Sequence, residues 1–236
     1  MYKENRKSIN AFVGCKFHCV YCVPSFQRQM KRQRCPRCKL YEPHPHLDRL
    51  LKPPPKTFGK DFVFFPSSAD PSFAKLEEFK QMMDYAEQYP DRTFLTQSKN
   101  PEYFYRYEYE YGKFPENVIL GTTFKTDRLA FDTPNKYHFY TEISKAPHPK
   151  ERLHCMLKLK HPRKEITIEP ILQFHLDMII PCVDAIKPDF IYVGYDNHGV
   201  DLPEPKLEET LKLIGELEKH GFEVRRKSVD RKAWWE

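Results

Sequence analysis

Short apolar runs alternate with amphipathic segments along most of the chain. The runs are rich in β-branched and aromatic residues, and helical patterns or proline-rich connections separate them, which predicts strand-helix units around a mainly parallel sheet. The candidate strands lie at residues 9–13, 62–65, 93–96, 118–122, 166–168 and 190–193, with 222–224 as an additional candidate. Since a closed barrel needs eight strands, the pattern predicts an α/β fold, a partial (β/α)6 TIM-like barrel.

Two segments show the apolar spacing of amphipathic helices. The segment 75–89 carries Phe79 and Met82 on one stripe, and the segment 207–217 repeats the pattern shortly before Gly221. A glycine at that place is typical of the end of a helix. We expect both segments to form outer helices that pack on the sheet.

The composition indicates the class of protein and the cellular compartment. The 236 residues are 40% hydrophobic, and no stretch approaches the roughly 20 apolar residues of a membrane span. The basic N-terminus lacks an apolar run of signal-peptide length, so we expect a cytoplasmic protein without a membrane partner. Five of the seven cysteines fall between Cys15 and Cys38. This uneven set suits metal ligation in a reducing compartment better than a disulfide framework.

The segment 23–56 differs from the rest of the chain. It is basic and contains cysteine, then becomes rich in proline and histidine, so we interpret it as an insertion after the first strand of a single domain, residues 1–236. Its cations could attract the phosphates of a nucleic acid, or could form a solvated surface beside an anionic cluster. The cations concerned are Arg28, Lys31, Arg32, Arg34, Arg37 and Lys39.

A cysteine triplet directly follows the first apolar run. Cys15, Cys19 and Cys22 are spaced Cys-x-x-x-Cys-x-x-Cys, and Tyr21 precedes the last of them. Three thiolates in so short a loop can each hold one iron of a 4Fe-4S cluster and leave the fourth iron open. Zinc binding and a buried structural role are the alternatives.

This stretch resembles the cluster loop of the radical S-adenosylmethionine (SAM) enzymes. The resemblance implies that SAM binds the open iron and that its reductive cleavage gives methionine and a 5′-deoxyadenosyl radical. It also implies a reducing partner such as flavodoxin or ferredoxin. Most of the chain is similar to small radical SAM proteins distantly related to the spore photoproduct lyase group and to phage-associated proteins. The implied substrate is unidentified, and a nucleic acid is one candidate.

Polar residues at the predicted strand ends are candidates for binding SAM. The resemblance leads us to expect a glycine-rich segment after the second strand, and this chain departs from it by carrying serines there. Asp70 could equally cap the following helix, and Lys125 could lie in a solvated turn. The candidate SAM-binding residues are Tyr21, Ser67, Ser68, Asp70, Thr122, Thr123, Lys125, Arg128 and Gly194.

Two later strand ends supply candidates for the substrate side. Glu169 directly follows a β-branched run and precedes a proline, so it could act as an acid or base, or form a surface salt bridge. Asp196, Asn197 and His198 follow the glycine that ends the next strand, and His198 could also be an ordinary loop residue. We predict that these four residues carry the catalytic and substrate contacts.

A second cysteine group suggests a further metal site. Cys35 and Cys38 form Cys-x-x-Cys, and His44 and His46 follow as His-x-His, a set that suits tetrahedral zinc. A redox pair, or an auxiliary cluster completed by Cys155 or Cys182, is the alternative. The chain as a whole could therefore also be a non-catalytic, zinc-stabilised nucleic-acid-binding protein.

Overall fold

The computed structural model describes residues 2–132 and 136–236. Seven strands form one parallel sheet in the order β1-β4-β5-β6-β7-β8-β9, and this sheet curls into a half-barrel. The prediction of a partial TIM-like barrel is therefore confirmed. The strands are β1 (Asn5–Ser8), β2 (Phe12–Val13), β3 (His44–Pro45), β4 (Phe62–Phe64), β5 (Phe94–Gln97), β6 (Val118–Thr123), β7 (Lys164–Ile168), β8 (Phe190–Gly194) and β9 (Val224–Lys227).

The longer helices connect successive strands, as right-handed parallel crossovers require. In the helix of residues 76–87, Glu78 accepts a hydrogen bond from the backbone N–H of Lys75 at 3.0 Å, which caps its first turn. Gly221, with φ +86°, follows the last helix as predicted. The helices are α1 (Arg28–Met30), α2 (Pro36–Lys39), α3 (Leu76–Glu87), α4 (Glu102–Tyr111), α5 (Tyr140–Ile143), α6 (Pro149–Lys158), α7 (Leu176–Ile186) and α8 (Leu207–Lys219).

Successive side chains along a strand pack into two different hydrophobic clusters, one on each face of the sheet. In β8, Ile191 and Val193 pack with the outer helices, whereas Phe190 and Tyr192 face the interior of the half-barrel. Tyr2 fills that interior, and its ring stacks on Tyr192 at a centroid distance of 4.0 Å. Side chains therefore fill the interior of the half-barrel below the carboxyl ends of its strands.

Two of the predicted strand positions are wrong. Residues 9–13 were expected to form the first strand, but β1 is Asn5–Ser8, which pairs in parallel with β4. The apolar run leaves the sheet, and its end forms β2, which pairs antiparallel with β3 of the insertion. An edge strand such as β1 is only half-buried and so lacks the apolar signal. The additional strand is present as β9, two residues later than predicted.

Within the described residues, no helix is long and apolar enough to cross a membrane.

Candidate functional site

A cavity of about 500 Å³ lies at the carboxyl ends of the parallel strands. Ligands bind at this end of parallel barrels because the loops that follow the strands converge there. Cys15 and Cys22 line one side of the cavity. The polar residues that follow successive sheet strands and line the rest of it include Ser67, Lys99, Lys125, Glu169 and Asn197.

The cysteine loop is fixed to the sheet just before Cys15. The backbone N–H of Gly14 donates to Ser68 O at 3.0 Å, and Gly14 O accepts from the N–H of Asp70 at 3.3 Å. The loop then turns through a short 3-10 helix, Val20–Cys22. Because both anchors lie at the end of β4, the three cysteines are held against the strand ends rather than in free solvent.

The three thiols belong to one electrostatic site. A hydrogen bond from Cys22 lowers the pKa of Cys19, and Lys99 and Lys125 lower it further. Burial raises the pKa of Cys15 to about 12. Cys19 Sγ also lies 3.1 Å from Ser144 Oγ, within hydrogen-bond distance. The surroundings of Cys19 therefore favour its thiolate form more than those of Cys15 do.

Two lysines without carboxylate partners lie beside this loop. Lys125 is 1% exposed, and its Nζ lies 3.6 Å from the centre of the Tyr21 ring, while Lys99 Nζ lies 5.6 Å from that centre. Over the described ranges, neither lysine takes part in an ion pair with a carboxylate. Burial and the charge of Lys99 lower the pKa of Lys125 well below its ordinary value. Burial lowers the pKa of Lys99, but the three thiols and, to a smaller extent, the Asp70 carboxylate raise it by more.

A third cation, Arg152 of α6, lies behind these lysines. Its fully buried guanidinium donates to Thr123 O at 3.1 Å and to Pro147 O at 2.8 Å. Its charge lowers the pKa of Lys125 further. Neither Arg152 nor Lys99 was predicted from the sequence. Lys99, like Lys125, lies two residues after the end of a strand, so a search for polar residues at strand ends would have found it. Arg152 lies within the amphipathic helix α6, where the sequence pattern does not distinguish it from a surface residue.

The predicted SAM-binding residues divide into two groups. Tyr21, Ser67, Ser68, Asp70, Thr123 and Lys125 line the cavity. Asp70 also caps the short helix Pro71–Phe73, because its carboxylate accepts from the N–H of Ser72 at 3.0 Å. It further accepts from the N–H of Lys99 at 2.7 Å, which fixes the end of β5.

The other predicted residues have contacts away from the cavity wall. The Thr122 hydroxyl donates to Ser98 O at 2.8 Å, and Arg128 lines a separate surface cavity. Gly194 faces β9, where an added Cβ would lie 2.1 Å from Lys227 O. The close approach that Gly194 permits is thus between two strands.

All four residues predicted for the substrate side lie on the cavity wall. Glu169 forms an ion pair with Lys227 at 2.5 Å and accepts a hydrogen bond from Asn197 Nδ2 at 3.4 Å. The Asp196 carboxylate accepts from the N–H of His198 at 2.9 Å and so shapes the loop that carries them. The structure therefore brings these residues together opposite the cysteine loop.

A buried acid lies beneath the cavity floor. Glu165 is fully buried and accepts hydrogen bonds from Gln97 Nε2 at 2.7 Å and from the Thr167 hydroxyl. Thr167 Oγ1 lies 3.1 Å from the hydroxyl of Tyr2, and Tyr2, Gln97 and Thr167 line the cavity. Burial raises the pKa of Glu165 to about 8. Burial therefore favours the protonated form of a carboxyl group that is connected to the floor by hydrogen bonds.

The second cysteine group converges as the sequence predicted. The ligand atoms of Cys35, Cys38, His44 and His46 all lie within 4.8 Å of one another. Such a set of two thiols and two imidazoles could bind a metal ion such as zinc. It lies in the insertion, apart from the cavity.

Comparison with known proteins assigns no family to this geometry. No family model matches the chain, and no curated protein matches it. The function must therefore be inferred from the chemistry of the cavity and of the two cysteine groups.

Proposed function

We propose that the protein is a radical SAM enzyme in which Cys15, Cys19 and Cys22 bind a 4Fe-4S cluster. The observation that carries the proposal is the position of the triplet at the carboxyl ends of the half-barrel strands, where Cys15 and Cys22 line a cavity and Cys19 is buried behind it beside cations. A structural zinc site would need neither this cavity nor the polar strand ends around it. The reduced thiols and such a cluster suit a reducing, cytoplasmic compartment.

The residues present fit a cluster with SAM beside it. Three thiols in one loop can hold three irons. Lys99 supplies positive charge that would offset the thiolates, and a bound carboxylate would favour the charged form of Lys125. The Tyr21 hydroxyl is buried and has no hydrogen-bond partner among the described residues, so the site contains a polar group that a bound ligand could satisfy.

When bound, the cluster would supply the electron that cleaves SAM into methionine and a 5′-deoxyadenosyl radical. The chain's own residues would then bind and orient the reactants. Ser67 and Ser68 offer hydroxyl groups at the end of β4, and Lys125 offers its ammonium group. Glu169 and Asn197 would hold the substrate at the opposite wall.

The substrate is unidentified, and a nucleic acid is one candidate. The cations of the basic segment 28–39 are all exposed, and Arg37 pairs with Glu42 at 3.5 Å. Gln29, in the same segment, lines the cavity, so a phosphate chain bound to this surface could reach the site. The electron would come from a reducing partner such as flavodoxin or ferredoxin.

Metal analysis after anaerobic reconstitution tests cluster binding. We expect about four irons and four sulfides per chain. Cys19→Ser and Cys22→Ser should abolish iron loading, whereas Cys155→Ser, in α6, should leave it unchanged. Equal iron content in all three variants would contradict the assignment of the triplet.

A second candidate is the non-catalytic, zinc-stabilised nucleic-acid-binding protein. The converged Cys/His group and the exposed cations of the insertion favour it. The same metal analysis separates the two functions, because this candidate predicts zinc without iron or sulfide.

A further inference from the structure

We propose that Cys35, Cys38, His44 and His46 hold a structural zinc ion that fixes one wall of the cysteine-loop cavity. The zinc site is inferred from the distances among its four ligand atoms alone. Its consequence for cluster assembly depends on the proposed function.

Three of the six distances among the four ligand atoms match a tetrahedral zinc site, and all six are within 4.8 Å. His44 Nε2 lies 3.4 Å from Cys35 Sγ and 3.5 Å from Cys38 Sγ, and His46 Nε2 lies 3.1 Å from Cys38 Sγ. Bond lengths of about 2.3 Å to sulfur and about 2.0 Å to nitrogen give a tetrahedral edge of roughly 3.5 Å. One ion at the centre can therefore reach all four atoms with small adjustments.

The imidazole of His44 is held in the form that binds metal. Its Nδ1 lies 2.6 Å from Glu42 O, and since a carbonyl only accepts, Nδ1 carries the proton. The Nε2 atom then bears a lone pair that can bind a metal ion, and it lies within 3.5 Å of both thiols. A backbone carbonyl in this position is the usual outer partner of a ligating histidine.

The segment around the ligands has little core of its own. Its regular elements are α2, with four residues, and β3, with two. Cys38 and Tyr41 pack with Met30 and Val13 in a small cluster, while Leu40 is 72% exposed. A segment that buries so little apolar surface gains most of its order from a metal ion.

The metal segment touches the cysteine loop through its backbone. Val13 pairs with His44, which is a ligand, and Cys15 N–H donates to Tyr41 O at 3.3 Å. Gly14, with φ +98°, makes this contact tight, because an added Cβ would lie 2.2 Å from Glu42 O. Residues 41 and 42 thus lie between the second metal group and the first cysteine of the triplet.

Tyr41 connects this contact to the cavity. Its side chain lines the cavity and packs near Cys15. Release of the metal would free the chain between Cys38 and His44, and with it the partner of the Cys15 N–H. We therefore infer that zinc holds Cys15 in the position that cluster assembly requires.

The alternatives to zinc fit the observed ligands less well. Cys155 and Cys182, the candidates to complete an auxiliary cluster, lie in α6 and α7 and do not belong to the converged group. Two imidazoles beside the thiols also make a simple redox pair a poor description. Two sulfurs and two nitrogens at tetrahedral distances are typical of zinc.

The experiment measures zinc content and Cys15 reactivity in the full chain prepared without added iron. We expect one zinc per chain. After chelation, iodoacetamide should alkylate Cys15 at least ~10-fold faster, because the wall that covers it is released. Mass spectrometry of the Cys15 peptide gives the rate, and added zinc should restore protection. Cys155 in the same samples is the internal control and should not change.

Variants identify the ligands. His46→Ala should lose zinc and expose Cys15, whereas His154→Ala, at an exposed position of α6, should do neither. If His46→Ala fails to fold, the chelation experiment on the unaltered chain still decides the question. Absence of zinc, or equal Cys15 rates with and without zinc, would overturn the proposal. Zinc-dependent protection in a chain that never cleaves SAM would support it while refuting the proposed catalysis.

Discussion

At the residue scale, the site is defined by an imbalance of charge. Lys99, Lys125 and Arg152 lie around the cysteine loop, and among the residues described here none of them pairs with a carboxylate. The thiols and Asp70 offset the charge of Lys99, whereas burial and Lys99 disfavour the charge of Lys125. A buried amine of this kind opposes stability unless an anionic group is bound beside it. The charges therefore indicate a site that binds an anionic ligand.

Lys125→Met tests this interpretation. Because burial and Lys99 already disfavour the charge of Lys125, its removal should raise the free energy of unfolding of the cluster-free protein by ~1 kcal/mol or more. The same change should weaken SAM binding to the reconstituted protein about tenfold, since a charge-assisted contact is lost. Urea unfolding and equilibrium dialysis measure the two effects.

The exposed Lys145 provides the matched control. Lys145→Met should change the unfolding free energy by less than about 0.5 kcal/mol and leave SAM binding intact. If Lys125→Met instead destabilised the protein and SAM bound as before, Lys125 would be a structural residue.

Glu165 makes stability depend on pH in a defined direction. Its carboxyl has a pKa of about 8 in the folded chain against 4.5 when exposed, so the folded state binds the extra proton between these values. Its contribution to stability must therefore fall as pH rises through this window. The unfolding free energy of the unaltered chain minus that of Glu165→Gln should fall by up to about 1.4 kcal/mol per pH unit.

Urea unfolding of both proteins between about pH 5 and about pH 8 gives this difference, and the other titrating groups cancel in it. A difference that stays constant with pH would show that Glu165 is ionised in the folded state.

At the element scale, the wall of the cavity depends on the contact between β8 and β9. Gly194 permits this contact, and Lys227 from the end of β9 then reaches Glu169. The sequence suggested close approach at Gly194 but gave no means of knowing that the approaching group is another strand.

Gly194→Ala should therefore destabilise the protein by ~1–3 kcal/mol, because the new methyl group would displace the Lys227 carbonyl. The control is Gly215→Ala in α8, where an added Cβ meets nothing within 4 Å. Loss of glycine flexibility there should stabilise the helix by roughly 0.5–1 kcal/mol. Urea unfolding compares them, and equal effects would contradict the packing described.

Particular elements show what the sequence could and could not predict. Strands β5, β6 and β8 were placed within a residue or two of their observed ends, since their apolar runs are buried on both faces. β1 was not predicted because an edge strand needs no apolar run. The predicted β7 began two residues late because Lys164 and Glu165 are ionisable residues that are nevertheless buried. Such residues depend on partners distant in sequence, which local patterns do not reveal.

At the scale of the whole molecule, the two cysteine groups are joined by backbone contacts between residues 11–15 and residues 41–46. The half-barrel contributes strand ends to the cavity, and the insertion contributes the wall that carries Tyr41. The sequence predicted both groups from their spacing alone. Their connection through Gly14 and Glu42 required the structure, because it depends on the pairing of β2 with β3.

The most direct test of the central claim is reductive SAM cleavage by the anaerobically reconstituted full chain. The account predicts that chemical reduction in the presence of SAM yields 5′-deoxyadenosine, detected by liquid chromatography and mass spectrometry. Cys19→Ser should give none, and Cys155→Ser should match the unaltered chain. A fully loaded, reducible cluster that leaves SAM intact would contradict the account.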